Sequence, residues 1–127
     1  MKTTPKFSPS ISRFLDMMSE AVDDYAWNED EVNRLDRLTQ DYLHKLELEE
    51  LPYNERAKLA TALRRCRRER RASKDTVEIL APLVDFLDSD KGRSLINLMK
   101  EVLGKTRKVE ERMSMRTYRN RVLYDPK

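Results

Sequence analysis

The sequence has few of the residues that build most catalytic and metal-binding sites. Its 127 residues include one cysteine and one histidine, so no internal disulfide can form and no zinc-binding set of Cys and His exists. There is no Gly-rich phosphate loop, no G-x-S-x-G motif and no H-E-x-x-H motif. We therefore predict a non-enzymatic protein with no catalytic residue, no metal and no cofactor.

Long apolar runs and glycine are also scarce. No stretch approaches the ~18 apolar residues of a transmembrane helix, and no signal-peptide segment is recognisable. The chain has two glycines, which suits long helices better than a compact sheet. Because nothing indicates an oxidising compartment, the expected location is cytoplasmic, without membrane association.

Charged residues are abundant and unevenly distributed. They make up 39% of the chain, against about 25% in an average protein. Residues 1–50 have twelve acidic and six basic side chains, a net charge of −6, whereas residues 51–127 have a net charge of +9. An acidic half joined to a basic half indicates either two partners or one half lying on the other.

The acidic half is predicted to form two helices. Apolar residues at helical spacing place the first at 9–26 and the second at 29–49. Asn28 and Glu31 form an N-x-x-E capping pattern that predicts the break between them, with Trp27 as a hydrophobic staple just before the cap.

The basic half contains a longer heptad pattern that predicts a third helix at 53–88. Its apolar seam alternates steps of four and three, and the alternative is a break near Ser73, where Asp75 and Glu78 form a possible capping box. After a turn, a fourth helix is predicted at 93–113. The predicted seams consist of Leu59, Leu63, Cys66, Arg70, Ser73, Val77, Leu80, Val84 and Leu87 in the third helix, and Leu95, Met99, Val102, Thr106, Val109 and Met113 in the fourth.

These segments predict an all-α fold in a single domain, 1–127. The third and fourth helices are expected to form an antiparallel hairpin, with the first two helices packed against it. Residues 1–8 are expected to be a loose leader, with Ser8 as the N-cap of the first helix. Residues 114–127 are expected to be an extended basic tail. Because the third helix is longer than its partner, a homodimer through the exposed seam is a further hypothesis.

Arginines are concentrated in the third helix, where six occur within the eight residues 64–71. At about 100° per residue, four of them occupy one side of the helix, opposite the seam, over about 10 Å. Phosphates of a nucleic-acid backbone match such a stripe. We call these four residues the arginine stripe: Arg64, Arg67, Arg68 and Arg71.

Other interpretations of the basic residues stay open. The arginine stripe can be a solvated face, it can pair with acidic side chains of the second helix, such as Asp36 and Asp41, or it can bind an acidic protein surface. In the tail, Arg116, Tyr118, Arg119 and Arg121 alternate cation and ring, as single-strand or RNA contacts do. The tail can equally pack on its own helices.

The remaining reactive side chains have structural interpretations. Cys66 lies on the seam of the third helix, and we predict a core role for it rather than a reactive one. His44 lies beside the apolar face of the second helix and is predicted to be a surface or packing residue.

About half of the chain, residues 63–123, has a recognisable sequence pattern. It consists of three segments, LRRCRRERRASKDTVEILAPLVDFL, INLMKEVLGKTRKVEERM and RTYRNRVL. This stretch resembles small uncharacterised helical proteins carried by phages and prophages of Gram-positive bacteria. The resemblance implies a mobile-element setting, where small charged helical proteins bind replication, transcription or host-defence complexes. It implies no activity and no site residue.

Two functions follow as hypotheses. The first is a binding protein that engages nucleic acid or a nucleoprotein complex through the arginine stripe with help from the tail. The alternative is an inhibitor or adaptor of the anti-defence type that acts by protein–protein contact, with an acidic face that mimics nucleic acid. The residues of that face are Asp16, Glu20, Asp23, Asp24, Glu29, Asp30 and Glu31.

Overall fold

The computed structural model describes residues 5–116 and contains three α-helices in that range. They are α1 (Ser8–Leu48), α2 (Tyr53–Asp88) and α3 (Asp90–Ser114), with no strand among the described residues. The all-α prediction is confirmed at this level. None of these helices has the length and apolar character needed to cross a membrane.

The first two predicted helices are one continuous helix, α1, so the described residues form three helices rather than the four predicted. Asn28 does not act as a cap, because its Nδ2 donates to the Asp24 carbonyl oxygen one turn earlier, at 2.8 Å. Trp27 is 62% exposed and therefore is not a hydrophobic staple. The packed face passes through the predicted break, with Ala21 buried and Tyr25 and Asn28 half-buried. Continuous burial along one face outweighs a local capping signal.

The third predicted helix is confirmed as α2, with no break at Ser73. Ser73 is buried in the packed face, and the helix continues past Asp75 and Glu78. Pro82 lies inside α2 and does not end it. The heptad seam was thus a better guide to this helix than the possible capping box.

α2 packs antiparallel on the C-terminal part of α1. Near the middle of α1, the Cys66 thiol donates to the Leu35 carbonyl oxygen at 3.4 Å, and Arg70 forms an ion pair with Asp36. Closer to the connection, Lys45 and Leu59 line the same small cavity. Cys66 is 3% exposed, which confirms its predicted place in the core.

α3 packs on the N-terminal part of α1 and is antiparallel to it as well. The carboxylate of Glu110, near the end of α3, accepts hydrogen bonds from the backbone N–H groups of Phe7 and Ser8 at 2.9 and 3.1 Å. Earlier in α3, Ile96 lines a cleft together with Leu15 of α1. α3 therefore continues along α1 in the general direction of α2, and the predicted antiparallel hairpin of the third and fourth helices is wrong.

The connection between α2 and α3 explains this path. Ser89 alone separates the helices; its backbone is extended, and its side chain accepts the N–H of Gly92 at 3.1 Å. Gly92 lies so close to the end of α2 that a Cβ there would be 1.9 Å from the Phe86 carbonyl oxygen and 2.7 Å from the Leu87 Cα. The corner therefore requires a residue without a side chain at position 92.

Candidate nucleic-acid interface

The arginine stripe lies on the outer side of α2. All four of its side chains are exposed, whereas Cys66 and Ser73, on the opposite side of the helix, are buried against α1. Cys66 and Arg70 contact α1, which fixes the rotation of α2 about its axis. Packing of the seam is therefore what directs these guanidinium groups outward.

Carboxylates of α1 do not neutralise the arginine stripe in the structure. Among residues 5–116, Asp36 pairs with Arg70, whose side chain is 23% exposed and points towards α1. None of the stripe residues forms a salt bridge within that range; the other three ion pairs there are Arg34–Glu31, Lys58–Glu55 and Arg93–Asp88. The pairing alternative thus holds for one arginine of the run and not for the stripe.

The basic surface extends beyond the stripe to two residues that sequence reasoning missed. Arg56 and Lys74 are exposed and lie within about 20° of Arg67 around the helix, at 100° per residue. From Arg56 to Lys74 the basic surface covers about 27 Å of helix. The sequence signal for these two residues was their distance from Arg67, since Arg56 is eleven residues before it and Lys74 seven residues after it. The six arginines within residues 64–71 made this spacing hard to recognise. Asp75 and Glu78 end the basic surface.

The surface around the stripe is open rather than enclosed. A shallow groove of about 410 Å³ is lined by Thr61, Arg64, Arg65, Arg68 and Glu69. Guanidinium groups present several N–H donors in a planar fork that matches two oxygens of one phosphate. An exposed row of them can follow a phosphate backbone, but it offers no pocket in which a small substrate would be desolvated.

The predicted tail residues are not brought to the stripe. Arg116 is exposed and follows α3, whose end lies at the N-terminus of α1. The stripe is on the part of α2 whose inner residues Cys66 and Arg70 contact Leu35 and Asp36. Leu35 is 27 residues beyond Ser8 along α1, which corresponds to about 40 Å. Tyr118, Arg119 and Arg121, like most of the predicted 114–127 tail, lie outside the described residues.

The acidic face of α1 is mostly unpaired in the described chain. Asp16, Glu20, Asp23 and Asp30 are exposed and form none of the salt bridges found within residues 5–116. Glu31 differs, because it pairs with Arg34 at 2.9 Å. The side-chain hydrogen bonds from Arg34 to Glu31, and then the negative charge of Glu31, raise the pKa of Arg34 above its ordinary value.

Crowding of acidic residues affects a neighbouring tyrosine. The charge of Glu29, four residues away on α1, raises the pKa of Tyr25 above its ordinary value, and burial and the charge of Asp85 on α2 act in the same direction. Carboxylates of both helices thus place negative charge near Tyr25, where α1 meets the end of α2.

The residues considered for other chemistry do not form a site in the described part of the chain. His44 is exposed. The sulfur of Cys66 is within 3.4 Å of both the Leu35 carbonyl oxygen and the Thr39 hydroxyl. No group of three His, Cys, Asp or Glu side chains among residues 5–116 is placed to hold a metal ion.

A scan against protein-family models and searches of curated proteins and solved structures find no match.

Proposed function

We propose that this protein is a non-enzymatic, cytoplasmic binding protein of the phage or prophage type that engages nucleic acid or a nucleoprotein complex. The contact surface is the arginine stripe on α2. The observation that supports this function is that its four guanidinium groups are exposed and form no ion pair within residues 5–116, beside a helix rich in carboxylates.

The geometry of the stripe suits a phosphate backbone better than a small anion. The basic surface is linear and extends over about 27 Å from Arg56 to Lys74, which allows several phosphates to be contacted at once. Each phosphate neutralised by a cation releases counterions, so affinity falls steeply as salt rises. Such contacts supply affinity without reading base sequence, and we therefore expect binding that depends weakly on sequence.

The experiment compares two double charge reversals of the full chain. Arg64→Glu with Arg68→Glu alters the stripe, and Lys100→Glu with Arg107→Glu makes the same charge change on exposed positions of α3. Fluorescence anisotropy with labelled duplex DNA, duplex RNA and single strands at low salt measures the affinity. We expect the stripe variant to bind at least tenfold more weakly than the control, with both keeping wild-type helicity by circular dichroism.

Two outcomes would contradict the proposal. One is the absence of binding by the unaltered chain to all of these nucleic acids at low salt. The other is an equal loss of affinity in both variants, because it would show that net charge, and not the arginine stripe, determines the interaction.

A second candidate function is that of an inhibitor or adaptor that binds a protein through the acidic face of α1. Its support is the exposed row Asp16, Glu20, Asp23 and Asp30, with Trp27 exposed within it. A mimic of nucleic acid would compete with DNA for a basic DNA-binding protein. A competition assay against a panel of such proteins, with Asp16→Asn and Asp23→Asn as the altered chain, tests this function, and no displacement by the unaltered chain would remove it.

A further inference from the structure

More than half of the circumference of α2 is open to solvent over residues 57–75. The buried and half-buried residues of this segment all lie within an arc of about 100° around the helix, which faces α1. They are Leu59, Ala62, Leu63, Cys66, Arg70 and Ser73. The exposed residues occupy the adjoining arc of about 220°. Because this segment packs on α1 through a narrow face, the rest of its surface is free to enter a concave partner.

The exposed arc has cations on both sides of its outermost line, which is opposite the centre of the packed arc. Arg68 lies within about 10° of that line, Arg67 about 90° to one side and Arg65 about 70° to the other. Arg56 and Lys74 lie on the same side as Arg67, towards the two ends of the basic surface. The cations therefore form a broad band that can contact anionic groups on two flanks of the helix at once.

Between the cations, the exposed arc has small side chains and little negative charge. Ala57, Thr61 and Ala72 are exposed and lie within about 50° of the outermost line. The one carboxylate among residues 57–74, Glu69, lies at the margin of the exposed arc, close enough to Arg34 of α1 for their charges to interact. The helix is therefore narrow on both sides of the arginine stripe, and its one carboxylate there is directed towards α1.

These features match the major groove of duplex DNA. An α-helix has a diameter of about 10–12 Å, and the major groove of B-DNA is about 12 Å wide and about 8.5 Å deep. The phosphates that line the two edges of the groove would face the cations on the two flanks of α2. The groove curves around the duplex, so a straight helix lies in it over a short segment only. The arginine stripe is such a segment, and Asp75 and Glu78 end the basic surface beyond it.

Two other forms of nucleic acid fit this surface less well. Proteins that bind single strands stack the bases on aromatic side chains, and no aromatic residue occurs between Arg56 and Lys74. A-form RNA has a deep, narrow major groove that side chains cannot read. We infer that α2 binds duplex DNA with the arginine stripe in the major groove. This inference rests on the proposed function and specifies the class of nucleic acid that the arginine stripe engages.

The first experiment compares three nucleic acids of one sequence with the full, unaltered chain. A duplex DNA, the corresponding duplex RNA and the single DNA strand are labelled and titrated at low salt by fluorescence anisotropy. We expect duplex DNA to bind at least tenfold more tightly than the other two.

The second experiment identifies the groove. In one duplex the cytosines are replaced by glucosylated 5-hydroxymethylcytosine, because C5 of a pyrimidine lies in the major groove. A second, unmodified duplex is saturated with netropsin, which occupies the minor groove. We expect the glucosyl groups to weaken binding at least tenfold and netropsin to weaken it less than threefold.

Two variants test whether α2 is the helix in the groove. Arg64→Glu with Arg68→Glu should bind the plain and the glucosylated duplex equally weakly, because the segment that enters the groove is altered. The matched control, Lys100→Glu with Arg107→Glu, should keep the difference between the two duplexes. Circular dichroism checks that both variants have wild-type helicity.

Several results would overturn this inference and leave the proposed function in place. They are equal or tighter binding of duplex RNA or of the single strand, unchanged affinity for the glucosylated duplex, displacement by netropsin, and a stripe variant that still distinguishes the two duplexes. Absence of binding to every nucleic acid at low salt would overturn both, so failure of the inference and failure of the proposed function are distinguishable.

Discussion

The two ends of α1 are packed in different ways. The C-terminal part and α2 share a buried seam, in which Leu35 and Cys66 are 1% and 3% exposed and Thr39 donates to the Leu35 carbonyl oxygen at 2.8 Å. The N-terminal part and α3 bury Leu103, and Glu110 ties them together through a carboxylate at the helix end. One helix is therefore held by apolar packing at one end and, at the other end, by hydrogen bonds from its first backbone N–H groups to a carboxylate of another helix.

The largest expected effect is at the centre of this buried seam. Leu35→Ala should lower the free energy of unfolding by about 3 kcal/mol, because it removes a fully buried side chain and leaves a cavity. Urea unfolding followed by circular dichroism measures the loss. Leu103→Ala, the matched change in the α3 region, should cost less, and an equal cost would show that the two ends are packed alike.

The next effect concerns the corner between α2 and α3. Gly92→Ala should destabilise the chain by about 1–3 kcal/mol, because its Cβ would overlap the Phe86 carbonyl oxygen and force the backbone apart. Thermal unfolding of the purified variant measures it. A Gly92→Ala chain as stable as the unaltered one would mean that the corner is not as tight as the structure shows.

Gly104 provides the control for Gly92 and a smaller effect of opposite sign. It lies inside α3, its φ is not positive, and a Cβ there would meet nothing within 4 Å. Gly104→Ala should therefore stabilise the chain by up to about 1 kcal/mol through helix propensity and a less flexible unfolded chain. A loss of stability in the same thermal assay would indicate that position 104 contacts a partner.

The smallest effect is local to the N-terminal end of α1. Hydrogen bonds from the side chain and backbone of Ser8 lower the pKa of Glu110 below its ordinary 4.5. A depressed carboxyl pKa contributes stability that is complete above the unfolded value and is lost as pH falls through the folded value. Hydrogen exchange of the first-turn amides of α1 should therefore accelerate in acid relative to the remainder of the helix.

Glu110→Gln separates this cap from general acid effects. The amide keeps an acceptor oxygen but has no charge, so the acid-induced change in first-turn exchange should disappear in the variant. Persistence of the same pH dependence in Glu110→Gln would assign it to another group.

Much of the fold was accessible from the sequence because α2 follows a strict heptad. Its continuity through Ser73 and the burial of Cys66 follow from that period. The outward direction of the arginine stripe follows too, since a helix face opposite a packed seam must be exposed.

Other features were hidden because they depend on contacts distant in sequence. The cap on α1 comes from Glu110, 102 residues after Ser8, so no local pattern indicates it. In α3, the predicted seam and the packed face share Met99 and Thr106, which are half-buried. The other four predicted seam residues, Leu95, Val102, Val109 and Met113, are exposed, so periodicity alone favoured the wrong face. The separation of Arg116 from the arginine stripe also depends on the path of α3, which the Gly92 corner determines.

Because Cys66 is buried between α1 and α2, its chemical labelling can report how often these two helices separate. The only sulfhydryl sits between two helices, shielded by the backbone of α1. A thiol-modifying reagent can reach it when α1 and α2 separate, so the labelling rate measures how often that separation occurs. Slower labelling in the presence of a bound partner would show that the partner holds α1 and α2 together.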